Sequence, residues 1–135
     1  KKLEMYIDKK GLSNRIELVG AVKKIDYWYQ NSSFFVFPSL WEGFPNALVE
    51  ALREGLPAIG LKTTSGVNQL IKNKTNGLLV ESNEIAFASA MEEMINNKSL
   101  RKNAGKRASN LIQRYPPNKI FNQWENLFLK LSNKN

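Results

Sequence analysis

Apolar residues up to Val80 fall in short continuous runs, and beyond it they recur at helical spacing. Arg15-Ile16-Glu17-Leu18-Val19 closes on Gly20, Phe34-Phe35-Val36-Phe37 ends at Pro38-Ser39, and Gly77-Leu78-Leu79-Val80 follows Asn76. Short apolar runs bounded by turn residues are what parallel strands buried on both faces require. The pattern predicts strands at 15–19, 34–37, 57–61 and 77–80. Between them it predicts helices at 2–10, stopped by Gly11, and at about 23–31, carrying Ile25, Trp28 and Tyr29. A third at 47–54 has Asn46 as N-cap and is closed by Gly55 and Pro57, and a short one spans 66–72. Such alternation builds βαβ units, so the fold class is α/β: a Rossmann-like, mainly parallel sheet with helices on both faces.

After Val80 the chain reads as wholly helical. Ser82 or Asn83 can cap a helix with Ile85, Ala88, Met91 and Ile95 on one face, its methionines filling core space. A basic helix runs from about 98 to 114 and ends before Pro116-Pro117. Ile120, Trp124, Leu127, Phe128 and Leu131 form an apolar stripe on a last helix, and the tail after Leu131 is expected to fray. Left in water, that stripe would be an apolar patch. It is therefore expected to fold onto the domain's own layers or to self-associate with a second chain. Residues 1–135 form a single domain, alternating over 1–80 and helical over 81–131, uninterrupted by a repeat or a linker.

Composition removes several kinds of chemistry. With no cysteine and no histidine, a disulfide framework, a zinc site and a Ser–His catalytic pair are excluded, and no metal is expected. No apolar run approaches the roughly 18 residues of a membrane-spanning helix, and Lys1-Lys2-Leu3-Glu4 does not begin a signal peptide. The cytoplasm is the expected location, with a peripheral position on the inner face of the cell membrane as an extension of it. The formal net charge of +8 and pI near 9.8 raise the question of a polyanionic partner. Lys72, Lys74, Lys98, Arg101, Lys102, Lys106 and Arg107 are scattered without interleaved aromatics or a DNA-reading motif, so no nucleic acid is expected. A solvated basic surface and contact with anionic lipid both stay open.

The segment Glu42-Gly43-Phe44-Pro45-Asn46-Ala47-Leu48-Val49-Glu50 sets two carboxylates around a Gly/Pro turn where a strand and loop become a helix. Amides at a helix start favour an anion such as phosphate, and carboxylates on the same turn accept hydrogen bonds from hydroxyls. Phosphate together with polyol describes a nucleotide sugar. Ligands of parallel sheets bind at the carboxyl ends of strands, where Gly20 and Glu42 fall. The alternatives for the two carboxylates are ordinary ones: Glu42 stabilising a helix start through its dipole, and Glu50 pairing with a basic neighbour on an exposed helix face.

These residues, in this order, resemble the C-terminal, nucleotide-sugar-binding half of retaining glycosyltransferases of family 4, which have the two-domain GT-B fold. The frame comprises the strand closing on Gly20, Phe34 through Ser39, Glu42-Gly43-Phe44-Pro45 through Glu50-Ala51, Gly55-Leu56-Pro57 and Asn76-Gly77-Leu78-Leu79-Val80. The resemblance implies that Glu42 meets the donor sugar near the reacting centre and is the catalytic position. It implies that Gly43, Phe44, Pro45, Asn46, Ala47 and Leu48 face sugar and phosphate, and that Glu50 accepts from the ribose hydroxyls. Ser65 and Gly66 fall where the family often has a Gly-Gly pair near the diphosphate, with Thr63 and Thr64 beside them. Ser65 stands in place of the first glycine, and Gln69 in place of a glutamate.

Gly20, Val22 and Lys24 correspond to the loop beside the nucleobase. Guanine-using relatives often carry an acid there; Lys24 cannot accept a hydrogen bond, which favours a uridine diphosphate sugar, although Asp26 is close by. No cofactor beyond that donor substrate is implied. The family's diphosphate-clamping arginine and lysine, and its acceptor-binding N-terminal domain, have no counterpart in these residues. The implied activity is retaining sugar transfer, hexosyl or N-acetylhexosaminyl, to a glycan or lipid-linked acceptor by a longer parent. The present chain is expected to be inactive as a fragment. Loose similarity of Ser65-Gly66-Val67-Asn68 to bacterial surface-polysaccharide enzymes points to capsule or lipopolysaccharide synthesis. The alternative reading is a non-catalytic nucleotide-binding or partner-docking module.

Overall fold

The computed structural model describes residues 1–113 and 116–132. In chain order the elements are α1 (Lys2–Lys9), α2 (Ile25–Gln30), β1 (Phe35–Phe37), α3 (Asn46–Arg53), β2 (Ala58–Leu61), α4 (Val67–Leu70), β3 (Gly77–Val80), α5 (Glu84–Asn96), α6 (Lys98–Ile112) and α7 (Pro117–Ser132). The three strands form one parallel sheet in the order β1-β2-β3, with Val36 opposite Ile59 and Ile59 opposite Leu78.

Because β2 is the central strand and is covered on both sides, all of its residues are buried. Ala58 packs with Leu48 and Leu52 of α3, Val67 and Ile71 around α4, and Ala108 of α6. Ile59 points the other way, toward Leu78, Ala90 and Met94. The period of two in the strand thus divides the core into two layers, one under α3, α4 and α6 and one under α5. This is the α/β architecture that the alternating pattern predicts.

The predicted strand at 15–19 is not one. Arg15 and Ile16 N–H both donate to Leu12 O in a turn, and none of these residues joins the ladder. Ile16, Leu18 and Val19 are 40–45% exposed. An apolar run becomes a strand only where a neighbour takes up its backbone N–H and C=O groups, and β1 pairs with β2 alone.

Two other readings are corrected. Asn46 does not cap α3: it is the first helical residue, and the N-cap is Pro45, which makes no side-chain cap bond. Asn83 does cap α5, its Oδ1 accepting from Ala86 N–H at 2.8 Å. The buried face of α5, however, is Ala90 and Met94 with Phe87 packed beside them, whereas Ile85, Ala88, Met91 and Ile95 face out. Both stripes keep helical spacing, and the choice between them is made by the sheet, since Met94 fits over Ile59.

Pro117 is the first residue of α7, where its missing N–H costs nothing. The stripe on α7 is not buried within the chain: Trp124 is 55% and Phe128 61% exposed, their rings 5.8 Å apart. The predicted end of the basic helix at 114, and the predicted fraying of residues 133–135, lie outside the described residues. No helix among the described residues is long and apolar enough to cross a membrane.

Candidate functional site

The chain leaves β1 at Phe37 and crosses the carboxyl edge of the sheet before entering α3. The segment after β2 does the same before α4, and the two crossings are fastened to each other. Thr64, 2% exposed, donates its hydroxyl to Ser39 O at 2.7 Å. Gly66 has φ +81°, and a Cβ there would lie 3.1 Å from Pro45 Cδ. Only glycine accepts that backbone without strain, and only glycine lets the second loop press onto the buried Pro45. One bonded hydroxyl and one glycine thus turn two loops into a single rim.

The rim encloses an open cleft of about 340 Å³ lined by Leu40, Trp41, Glu42, Thr63 and Ser65. Glu42 is half-buried, and it makes no ion pair among the described residues. Trp41 is 90% exposed beside it. Glu42 and Ser65, far apart in the chain, are therefore brought to one wall. Gly43 and Phe44 lie exposed on the turn above, and Gly66 sits where the loops touch.

At the start of α3 the amides are not equivalent. Asn46 N–H donates to Phe44 O at 2.9 Å and Leu48 N–H to Pro45 O at 3.0 Å, while Ala47 N–H has no backbone acceptor among the described residues. Leu48 is fully buried in the core. Of the three residues, Ala47 offers the amide available to an anion; Leu48 fixes the helix beneath it.

Glu50 lies one turn further along α3, half-buried, and Tyr29 of α2 donates its hydroxyl to Glu50 Oε2 at 3.2 Å. Burial first, then this hydrogen bond and the Glu50 charge, push the Tyr29 phenol up to about 12. Tyr29 therefore stays protonated and keeps one carboxylate oxygen of Glu50 occupied, which fixes the rotamer. The alternative for Glu50, pairing with a basic neighbour on an exposed helix face, is not formed among the described residues: Arg53 instead meets Glu54 at 3.1 Å and Asp26 at 3.6 Å. Gly20, with φ +63°, Val22 and Lys24 lead into α2. Among the described residues, no side-chain hydrogen bond or ion pair ties them to Glu42 or Glu50.

Sequence reasoning gave Tyr29 only as one of the apolar residues of its helix, and Trp41 not at all. The signal for Trp41 was present: a large aromatic in a loop next to a candidate carboxylate has no core to enter. The signal for Tyr29 was not, because its partner lies twenty-one positions away.

The chain matches the glycosyl transferases group 1 family over residues 1–111 and belongs to it. It is 37% identical over 112 residues to a UDP-Gal:alpha-D-GlcNAc-diphosphoundecaprenol alpha-1,3-galactosyltransferase of Escherichia coli, covering 82% of this chain and 26% of that protein. Its structure superposes on sucrose-phosphate synthase of Thermosynechococcus elongatus with TM-score 0.92 and 22% identity, covering 99% of this chain and 34% of the other. On HepE of Anabaena, solved in complex with UDP and glucose, the TM-score is 0.88 at 23% identity, with 96% and 36% covered. The fold is that of the C-terminal domain of GT-B glycosyltransferases. The chain spans about a third or less of the length of the first curated relatives it matches.

Proposed function

We propose that this chain is the donor-binding part of a bacterial glycosyltransferase of the retaining, family 4 type, which moves a hexosyl or N-acetylhexosaminyl group from a UDP-sugar to a glycan or lipid-linked acceptor. The observation that carries the reading is the joined rim at the carboxyl ends of β1 and β2. It holds Glu42, Ser65 and the free Ala47 amide on one side of the sheet, with Glu50 one helical turn below. In this reading Glu42 meets the sugar hydroxyls, and the Ala47 amide with Ser65 and Gly66 faces the diphosphate as charge builds on the leaving group. Glu50 accepts from the ribose with the oxygen that Tyr29 leaves free. Glu42 is the one carboxylate lining the cleft, and Glu50 is held by Tyr29. A pair of carboxylates acting as a hydrolase dyad is therefore not the chemistry the site supports.

Uridine is favoured because Lys24 cannot accept from guanine, and because Asp26, the nearby acid, is engaged by Arg53. The E. coli relative is a UDP-galactose enzyme and HepE was solved with UDP, which supports the same choice. A chain covering about a third of its relatives supplies part of such an enzyme, so it binds donor weakly and transfers no sugar alone. Ligand-observed NMR with UDP and GDP tests this. UDP is expected to bind in preference to GDP, and Glu50→Ala to abolish the signal. A preference for GDP would overturn the base assignment, and binding indifferent to Glu50→Ala would overturn the ribose assignment.

A further inference from the structure

A cavity of about 440 Å³ lies at the amino ends of the strands, the opposite edge of the sheet from the Glu42 cleft. Ser33 precedes β1 and Pro57 precedes β2 on one wall; α6 forms the other. Gly105 brings α6 into place: a Cβ on it would lie 2.2 Å from Gly55 O, so helix and turn meet backbone to backbone. With the helix seated there, Lys98, Lys102 and Lys106, four residues apart, line the same cavity together with Arg101.

Arg101 is already used, donating to the C-terminal carbonyls of α5, Met94 O and Ile95 O, the latter at 2.7 Å. Lys98, Lys102 and Lys106 form no ion pair among the described residues. One acid, Glu54, reaches the cavity, and both its oxygens are engaged, by Arg53 at 3.1 Å and by Gln30 at 3.3 Å. The Ser32 hydroxyl donates to Trp28 O at 2.6 Å, whereas Ser33 makes no side-chain hydrogen bond among the described residues. The wall therefore presents three ammonium groups without ion-pair partners among the described residues and one hydroxyl to a concave space, against a single carboxylate, Glu54, that Arg53 and Gln30 already hold. A cluster of compact ammonium charges attracts a small dianion about twice as strongly as it attracts a singly charged carboxylate at the same distance.

We propose that this cavity is a second anion site that takes a phosphate monoester, independent of the donor cleft. The same dianion can arrive free in solution or as the headgroup of phosphatidic acid, and the test separates the two. The intact chain, labelled with nitrogen-15, is titrated with inorganic phosphate at low ionic strength. In parallel it is sedimented with phosphatidylcholine vesicles with and without phosphatidic acid. The amides of Ser33, Gly55 and Leu56 are expected to shift saturably, while those of Ala47 and Ser65 stay put. Lys102→Gln/Lys106→Gln should weaken binding about tenfold, and Lys9→Gln/Lys72→Gln, with the same charge change elsewhere, should leave it unchanged.

Saturable binding of phosphate with that variant pattern identifies the free dianion as the source. The same pattern with phosphatidic acid vesicles alone identifies the headgroup, and each supports the site. Shifts at Ala47 and Ser65 in place of Ser33 and Gly55, equal weakening by both double variants, or no saturable binding in either arm would overturn it.

Discussion

Gly105→Ala is expected to destabilise the chain even though alanine is the better helix former. Gly105 sits within α6, buried between Ala104 and Ala108, with a backbone that alanine can adopt. Propensity alone would make the substitution favourable by about 1 kcal/mol. The structure opposes it. The new Cβ would lie 2.2 Å from Gly55 O and 3.4 Å from Gly55 C, and the obstacle is backbone, not a side chain that can swing away. Relieving it requires α6 and the α3–β2 turn to separate by about 1 Å, which pulls the buried Ala104 and Ala108 off their neighbours. Overpacking of this kind costs about 1–3 kcal/mol, and more where backbone must move. The net is a loss of about 1–2 kcal/mol, or a few degrees in Tm for a domain of this size.

Urea unfolding followed by circular dichroism, beside Asn103→Ala on the exposed face of the same helix, separates the two terms. Asn103→Ala should gain a few tenths of a kcal/mol from propensity, and Gly105→Ala should move the midpoint the other way. A midpoint raised by Gly105→Ala would refute the close approach, and with it the placement of the lysines around the basic cavity.

Three further outcomes follow from single contacts. Tyr29 has a folded pKa of about 12 against 10.0 for the free side chain. The unfolded chain therefore releases this proton first, and stability present below pH 10 is lost as pH rises to 12, by about 2–3 kcal/mol. Tyr29→Phe should flatten that limb of a stability–pH curve, and identical curves would disprove the shift. Thr64→Val leaves Ser39 O without its buried donor and should cost about 1–3 kcal/mol. It should also broaden the amide signals of residues 39–44 and 63–66, and unchanged signals would show that the rim is held otherwise. The exposed stripe on α7 should drive self-association, seen as a concentration-dependent sedimentation coefficient that Trp124→Glu/Phe128→Glu abolishes; a monomer at every concentration would refute it.

The β1-to-α3 crossing was legible because its signals are local. An apolar run, a Pro-Ser stop, a Gly/Pro turn and a helical stripe each act within a few residues, and each is found where the pattern puts it. The Asn76-Gly77 start of β3 is local too: Asn76 Nδ2 donates to Leu70 O at 2.9 Å, and its Oδ1 accepts from Lys72 N–H. What local pattern could not decide was partnership. Residues 15–19 carry as good a strand signal as 77–80, and they differ in that 77–80 lie against β2 whereas 15–19 lie against no strand among the described residues. The two faces of α5 are similarly matched in spacing, and contact with Ile59 and Leu78 selects the one bearing Met94.

The same distinction governs the two carboxylates. Glu42 and Glu50 stand out in sequence by their position around one turn, but position alone leaves each open to an ordinary surface role. For Glu50 the ordinary role is a partnership with Arg53 on its own helix, and that partnership is absent because Asp26 and Glu54 take the guanidinium. Its actual partner, Tyr29, is nearly buried on another helix and is held neutral by burial and by the carboxylate itself. A neutral donor fixes a carboxylate without cancelling its charge, whereas an arginine would have done both. Glu50 is thus an oriented, half-buried carboxylate held through Oε2 by a neutral hydroxyl, an arrangement that a simple surface ion pair could not supply.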